Sequence, residues 1–286
     1  MRTNKTLNRF SLSKELPLLP GYILVTIWVV FTLIMVGWVC LASLSTTKSI
    51  FSGNILGDGI HFESYKHAFL DNNLGAYTLN SIIYTSVSIT GMLLIAAPAS
   101  YMLARFKFRG NKFIQGMFVV AMGIPSIMVI LPLFSLAAQL GVLNSRITLI
   151  IVYIFTGIPF TLFFLHTFFS NLSRSFEESA AIDGCGPIKT FWVIMLPLAS
   201  PGIITVTIFN FIGIWNEFFM ALIFANHSSL RPLAVGVYAT MKSFLYAGDW
   251  PGMFTGVVVI FIPTLILYIL LSKKIIAGVT GGAVKG

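Results

Sequence analysis

The sequence predicts an all-α integral membrane protein with six transmembrane helices, on three observations. Hydrophobic residues make up 57% of the 286 and charged residues only 9%, where a soluble chain carries roughly 25% charged residues. Mean hydropathy is +0.91. The apolar residues gather into six runs, each near the ~20 residues that cross a bilayer core of about 30 Å as a helix.

Residues 1–20 form a polar, basic tail with Arg2, Lys5, Arg9 and Lys14. The first span covers 21–44. It is longer than the apolar region of about 7–15 residues in a signal peptide, so it reads as a retained anchor. A polar extracytoplasmic segment, 45–78, follows, with Asp58, Glu63 and Asp71. The core, 79–272, holds the other five spans. The second runs from about Ser81 to Leu103 and ends at a basic loop with Arg105, Lys107, Arg109 and Lys112. The third, about Phe113 to Ala138, contains Pro125 and Pro132 and is expected to kink there, since membrane helices tolerate proline where neighbours or water re-satisfy the backbone. The fourth is about Ile147 to Phe169, the fifth about Gly202 to Ala225 after a polar loop at 171–200, and the sixth about Gly252 to Leu271 after a polar segment at 226–250. The tail is 273–286.

The net charge of +9 is compatible with a nucleic-acid partner, but its placement argues otherwise. If the amino terminus is cytoplasmic, 13 of the 18 lysines and arginines lie on the inner side and five on the outer. That bias fits the positive-inside rule, so both termini and the loop at 171–200 are expected in the cytoplasm. Cys40 and Cys185 fall on opposite sides of this layout and are expected to stay unpaired, because bridged Cα atoms lie within about 7 Å.

The loop from Ser175 to Pro197 carries three of the nine acidic residues. Ser175 and Glu178 have capping-box spacing, and Glu177 and Glu178 sit in the first turn, where carboxylates favour the helix dipole. Gly184 suits a left-handed helix end, and Pro187 suits the first position of a second helix. So short a helix must pack on something, because nucleation is costly. Ser179, Ala180 and Ala181 permit a close approach, and Phe176 offers one large apolar contact. An ordinary amphipathic loop helix is the plainer reading of the same residues.

Glu178, Ser179 and Ala180, then three residues and Gly184, then nine residues and Ile194, Met195, Leu196 and Pro197 resemble the loop E-A-A-x3-G-x9-I-x-L-P of ABC importer membrane subunits. Only Ser179 departs from that pattern. The stretches Pro98–Gly110, Ile214–Phe218 and the glycine-rich Gly278–Gly286 are similar to carbohydrate importers of the maltose-transporter type, and the likeness covers about residues 20–286. The resemblance implies a type I ABC importer permease fold, sugar or oligosaccharide uptake, and residence in a bacterial or archaeal cytoplasmic membrane. It implies a heterodimer with a second related permease, two ATPase subunits that hold ATP and Mg below, and an extracytoplasmic solute-binding protein above. It also implies that Glu177, Glu178, Ser179, Ala180, Ala181, Asp183 and Gly184 form the coupling helix, and that Gly281–Gly286 reaches toward the ATPase.

Glu217 is the one acidic residue well inside an apolar run. A lipid-facing carboxylate at the bilayer centre costs roughly 2.5–3.5 kcal/mol on insertion scales. It is therefore expected to face protein or a water-filled path. Asn210, Gly213 and Glu217 share one helical face, and with Asn216 they are either the wall of a translocation path or hydrogen-bond partners of another helix. His166 stands alone, with no metal-ligand spacing around it, and Gly252 and Gly256 match a weak helix-packing motif. Residues 186–190 lack the Gly-Lys-[Ser/Thr] core of a phosphate loop. With neither an ATPase motif nor a nucleophile–base arrangement, the chain reads as a transport subunit rather than an enzyme, with no cofactor or metal of its own. The runner-up readings are a permease for a non-sugar solute and an ion-coupled secondary transporter, which often shows internal repeats.

Overall fold

The computed structural model describes residues 18–55 and 57–283, with side chains described to Ser272 apart from 242–243. Nearly all of the basic amino-terminal tail and the last three residues of the glycine-rich tail lie outside the described residues. Among the described residues the regular structure is helical, with no strand. Four helices are each long and apolar enough to cross a membrane, and two bent pairs raise the number to as many as six.

Helix α1 (Leu19–Ser43) is apolar along its length, and none of its most hydrophobic 18-residue window is buried. Its carboxyl-terminal half meets α13 (Trp250–Ala283), where Trp38 lies edge-on to Phe254 at 5.2 Å. Outside the first span, α2 (Thr47–Phe51) is capped by Thr46, whose hydroxyl accepts from the Ser49 N–H. Ser49 and Thr46 both donate to Asp58, at 2.9 and 3.2 Å. These bonds, Ser49 first, hold the Asp58 carboxyl below its ordinary pKa. Helix α3 (Glu63–Leu70) leads into the 32-residue helix α4 (Leu74–Arg105).

The core is built on α4 packed along α7 (Arg146–Asn171). Glycine allows the approach: a Cβ on Gly157 would lie 2.5 Å from the Met92 thioether, and one on Gly91 would lie 2.5 Å from Ile154. Toward one end Tyr84, Met92, Leu149, Tyr153 and Phe224 form an apolar cluster, and toward the other Tyr101, Leu165, Phe169, Phe191 and Met195 form a second.

The region expected as a kinked third span is two helices, α5 (Asn111–Met122) and α6 (Ser126–Gln139), at 99° to each other. Gly123 closes α5, and Pro125 is extended (φ −58°, ψ 130°) with no N–H to continue the ladder. Pro132 lies within α6, so Pro125 with its glycine makes the break and Pro132 does not.

After α8 (Ser175–Ile182), α9 (Pro187–Leu198) meets α10 (Ser200–Trp215) at 72°. At 16 residues, α10 is about 24 Å long, short of a full crossing. The chain breaks at 216–218 and resumes in α11 (Phe219–Phe224), so the expected continuous fifth span is interrupted. The segment expected to be polar, 226–250, contains α12 (Leu233–Ala247), which packs on α4 and α13. Asn80 donates to the Ser229 and Arg231 carbonyls, Tyr84 to the Leu230 carbonyl, and Ser81 Oγ accepts from the Leu233 N–H at 2.7 Å. Helix α13 continues into the segment expected as a tail, through Ala283.

Candidate functional site

Helix α8 stands at the end of the bundle where α4 and α7 finish. Its amino terminus differs from the capping box expected from spacing. Ser175 is already inside the helix, Arg174 precedes it in a helical conformation, and Ser173 Oγ accepts from the Ser175 N–H at 3.3 Å. Glu178 therefore has no capping hydroxyl at Ser175 to reciprocate.

The carboxyl terminus follows from local chemistry. Gly184 takes φ +75°, a conformation that penalises any residue with a Cβ. Its N–H reaches the Ala181 carbonyl at 3.1 Å, and the Cys185 N–H reaches the Ala180 carbonyl at 2.8 Å. This is the paired bonding of a Schellman ending, and it satisfies two carbonyls the helix would otherwise leave open. Pro187 then opens α9.

Two faces of α8 do different work. Glu177 and Ala180 turn inward. Glu177 Oε1 accepts from Tyr101 Oη at 2.7 Å and from Arg105 Nε at 3.2 Å, and Arg105 also donates to the Ser173 carbonyl at 3.2 Å. The Arg105 side chain is 5% exposed and that of Glu177 22%. An ion pair this sheltered is screened less than a surface pair, and each partner would be left uncompensated without the other. Ser179, Asp183 and Glu178 face out, and Ile182 is 86% exposed. Ala181 lines a cleft of about 380 Å³ with Tyr101, Arg105, Glu177, Cys185 and Pro187.

The far limb of the loop is bound into the core. Phe191 lies 5.1 Å from Tyr101 and 6.3 Å from Phe169, ring centre to ring centre, and Met195 is fully buried beside them. From Phe191 to Met195 the helix widens to a π turn, with the Leu196 N–H bonded to the Phe191 carbonyl, just before Pro197, which lacks an N–H.

The other candidates lie apart from this loop. Asn210 is buried in α10 and donates to Thr161 Oγ1 on α7 at 2.8 Å. Asn216 is exposed and donates to the Ile212 carbonyl at 2.9 Å, with Thr264 on α13 at 3.5 Å. Glu217 is held by three donors: the Tyr153 hydroxyl at 2.9 Å, the Met220 N–H at 2.8 Å and the Ala221 N–H at 2.9 Å. Its carboxylate thereby caps α11 and ties the break in the fifth span to α7. Asn210 and Glu217 thus bond to a neighbouring helix, and Asn216 is the exposed member of the three. Among the described residues no group of three or more His, Cys, Asp or Glu converges on one point, and both cysteines are free thiols.

Reading the sequence missed the inward partners of α8. Arg105 stands out there as one of four basic loop residues, and both it and Tyr101 as members of the stretch Pro98–Gly110 that resembles carbohydrate importers. Nothing local marks either as a partner of a glutamate more than 70 residues away.

Residues 96–279 match the family described as binding-protein-dependent transport system inner membrane component. The chain is 35% identical over 263 residues to a diacetylchitobiose uptake system permease protein of Streptomyces coelicolor, covering 92% of this chain and 87% of that one. It is 30% identical over 276 residues to a trehalose/maltose transport system permease protein of Thermococcus litoralis, covering 96% and 98%. Among solved structures it superposes on a chain of a bacterial ABC transporter involved in the import of the acidic polysaccharide alginate. The TM-score is 0.79 at 24% identity, over 93% of this chain and 98% of that chain, a likeness of fold.

Proposed function

Because this chain belongs to the family of binding-protein-dependent transport system inner membrane components, an ABC importer permease and not an enzyme, we propose that it moves a sugar or oligosaccharide into the cytoplasm. Relatives named for diacetylchitobiose, trehalose and trehalose/maltose uptake support the sugar class. The reading includes a second, related permease beside this chain, two ATPases at its cytoplasmic face and an extracytoplasmic binding protein opposite. ATP and Mg belong to the ATPases, and both termini of this chain are cytoplasmic in a bacterial or archaeal cell membrane.

The observation that carries the coupling assignment is the division of α8 into two faces. Outward, it offers Ile182, Ser179 and Asp183 to a partner. Inward, the Glu177 carboxylate is clamped by Arg105 and Tyr101 at the end of α4. Closure of the ATPase pair would push α8, and the push would enter the bundle by two routes. One is the ion pair onto α4. The other is Phe191 and Met195 through α9 to the 72° elbow before α10.

The test is uptake of labelled chito-, trehalo- or malto-oligosaccharide by vesicles holding the assembled complex. Uptake should require internal ATP and the binding protein. Uptake that survives ATP depletion and collapses with the ion gradient would identify an ion-coupled transporter instead.

A further inference from the structure

A second concave surface lies beside the coupling loop, and the transport reading does not use it. The segment joining α4 to α5 is not a loose connection: Asn111 Nδ2 donates to the Leu103 and Phe106 carbonyls at 3.0 and 2.7 Å, and Gln115 Nε2 donates to the Leu103 carbonyl at 3.3 Å. These amides bond carbonyls at the end of α4 and fix the loop as one wall of a cavity of about 840 Å³, closed opposite by the end of α7. Lys107, Lys112 and Arg174 line it, and no carboxylate does. Arg105 there is neutralised by Glu177, but the side chains of Lys107, Lys112 and Arg174 make no ion pair or hydrogen bond among the described residues. Three unpaired cations around one concavity attract a dianion or monoanion of phosphate size.

The surroundings say which anion. With 32 residues, α4 is about 48 Å long and outruns an apolar core of about 30 Å, and the charges that follow its apolar run, Arg105, Lys107, Arg109 and Lys112, set this end at headgroup depth. From the cavity mouth a stripe leads along α5: Phe113, Met117 and Val120, at i, i+4 and i+7, are 72%, 58% and 69% exposed. A free phosphate has no use for that stripe. A phospholipid has, with its headgroup among the lysines and an acyl chain along the stripe.

We propose that this cavity is a binding site for an anionic phospholipid of the leaflet on the α8 side. The proposal needs only that α4 and α7 cross the membrane, and stands or falls independently of the coupling assignment.

The experiment uses the assembled transporter in mild detergent, titrated with phosphatidylglycerol or phosphatidylcholine and weighed by native mass spectrometry. Phosphatidylglycerol should bind the wild type more tightly than phosphatidylcholine. The double variant Lys107→Gln, Lys112→Gln should weaken phosphatidylglycerol about thirtyfold, the contribution of two surface lysines, while Lys107→Arg, Lys112→Arg retains it. Equal affinity for the two lipids in the wild type overturns the proposal, and that comparison decides even if the glutamine variant does not assemble. Displacement of the lipid by millimolar inorganic phosphate alone would identify a plain anion site instead. A photoreactive residue at Met117 should yield lipid adducts, and adducts with a partner protein would assign the stripe to a subunit interface and overturn the proposal.

Discussion

Glu177, inside the short helix α8, and Glu217, in the break between α10 and α11, are both carboxylates held by donors from another element, and each is bound in a different way. Glu177 bonds outside its own helix, to Tyr101 and Arg105. Replacing it by alanine leaves the 5%-exposed Arg105 side chain without its counter-charge, whereas Tyr101→Phe removes one hydrogen bond worth about 1 kcal/mol. In proteoliposomes we expect Glu177→Ala to hydrolyse ATP with little sugar moved per ATP, and Tyr101→Phe to lose a smaller share of that ratio. An unchanged ratio in Glu177→Ala would remove the ion pair from the coupling route. Glu217 instead collects three donors around a chain break. Glu217→Ala strands two backbone N–H groups and a tyrosine hydroxyl, a loss of about 3 kcal/mol, read as a lower unfolding temperature of the detergent-solubilised complex. Glu217→Gln keeps one acceptor and should recover part of it. At Asp58 the pKa is depressed by Ser49 and Thr46. Its bonds are fully present above the ordinary carboxylate pKa and are lost as pH falls through the depressed value. Exchange of the amides at 46–52 should accordingly rise only in strong acid, and in Asp58→Asn it should lose that dependence.

At the scale of elements, the helix ends show how far local chemistry reaches. Gly184 and Pro187 announce the end of α8 and the start of α9 because both act through their own backbones: one tolerates φ +75°, the other lacks an N–H. Gly184→Val puts a Cβ where the left-handed region costs about 1–2 kcal/mol, though no neighbouring atom lies within 4 Å of its Cβ position. The strain is therefore in the chain and not in crowding. It should fray the last turn of α8, seen as faster hydrogen exchange at Ala180 to Cys185, and should uncouple ATP hydrolysis from uptake with assembly intact. The same local reasoning expects a kink from Pro125 and Pro132 but neither chooses between them nor gives its size. A proline sets where a helix stops, and the 99° between α5 and α6 depends on what each half packs against. Helix α12 escaped notice because its 15 residues fall short of a crossing and sit among polar neighbours. Its support comes from Asn80, Ser81 and Tyr84, some 150 residues earlier. Ser175 misled for the opposite reason: its spacing to Glu178 is right, but Ser173 lies two residues upstream and takes the capping bond.

For the whole molecule, sidedness is the property on which the assignments converge. Cys185 lies beside Pro187 in the cleft under α8, and Cys40 lies in α1. In a Cys40→Ser background, a membrane-impermeant maleimide should label Cys185 in inside-out vesicles and leave it unlabelled in right-side-out ones. The reverse pattern would invert the topology and move α8 away from any cytoplasmic ATPase. The all-helical class was legible because it depends on composition and hydropathy, which sum over the chain. The clamp on Glu177 and the capping role of Glu217 were not, because each needs two elements brought together by folding.

The π turn at Phe191–Met195 has a consequence in helical phase. It holds one residue more than an α turn would use, and every residue on its loop side is offset by about 100° relative to the bundle. Deleting a single residue within 191–195 should let the segment relax to α geometry and rotate Pro187–Thr190 about the helix axis. Helix α8, joined to Pro187 through a glycine hinge, would swing with it, and Glu177 would come away from Arg105. The azimuth at which α8 presents its outward face is in that sense a matter of counting residues.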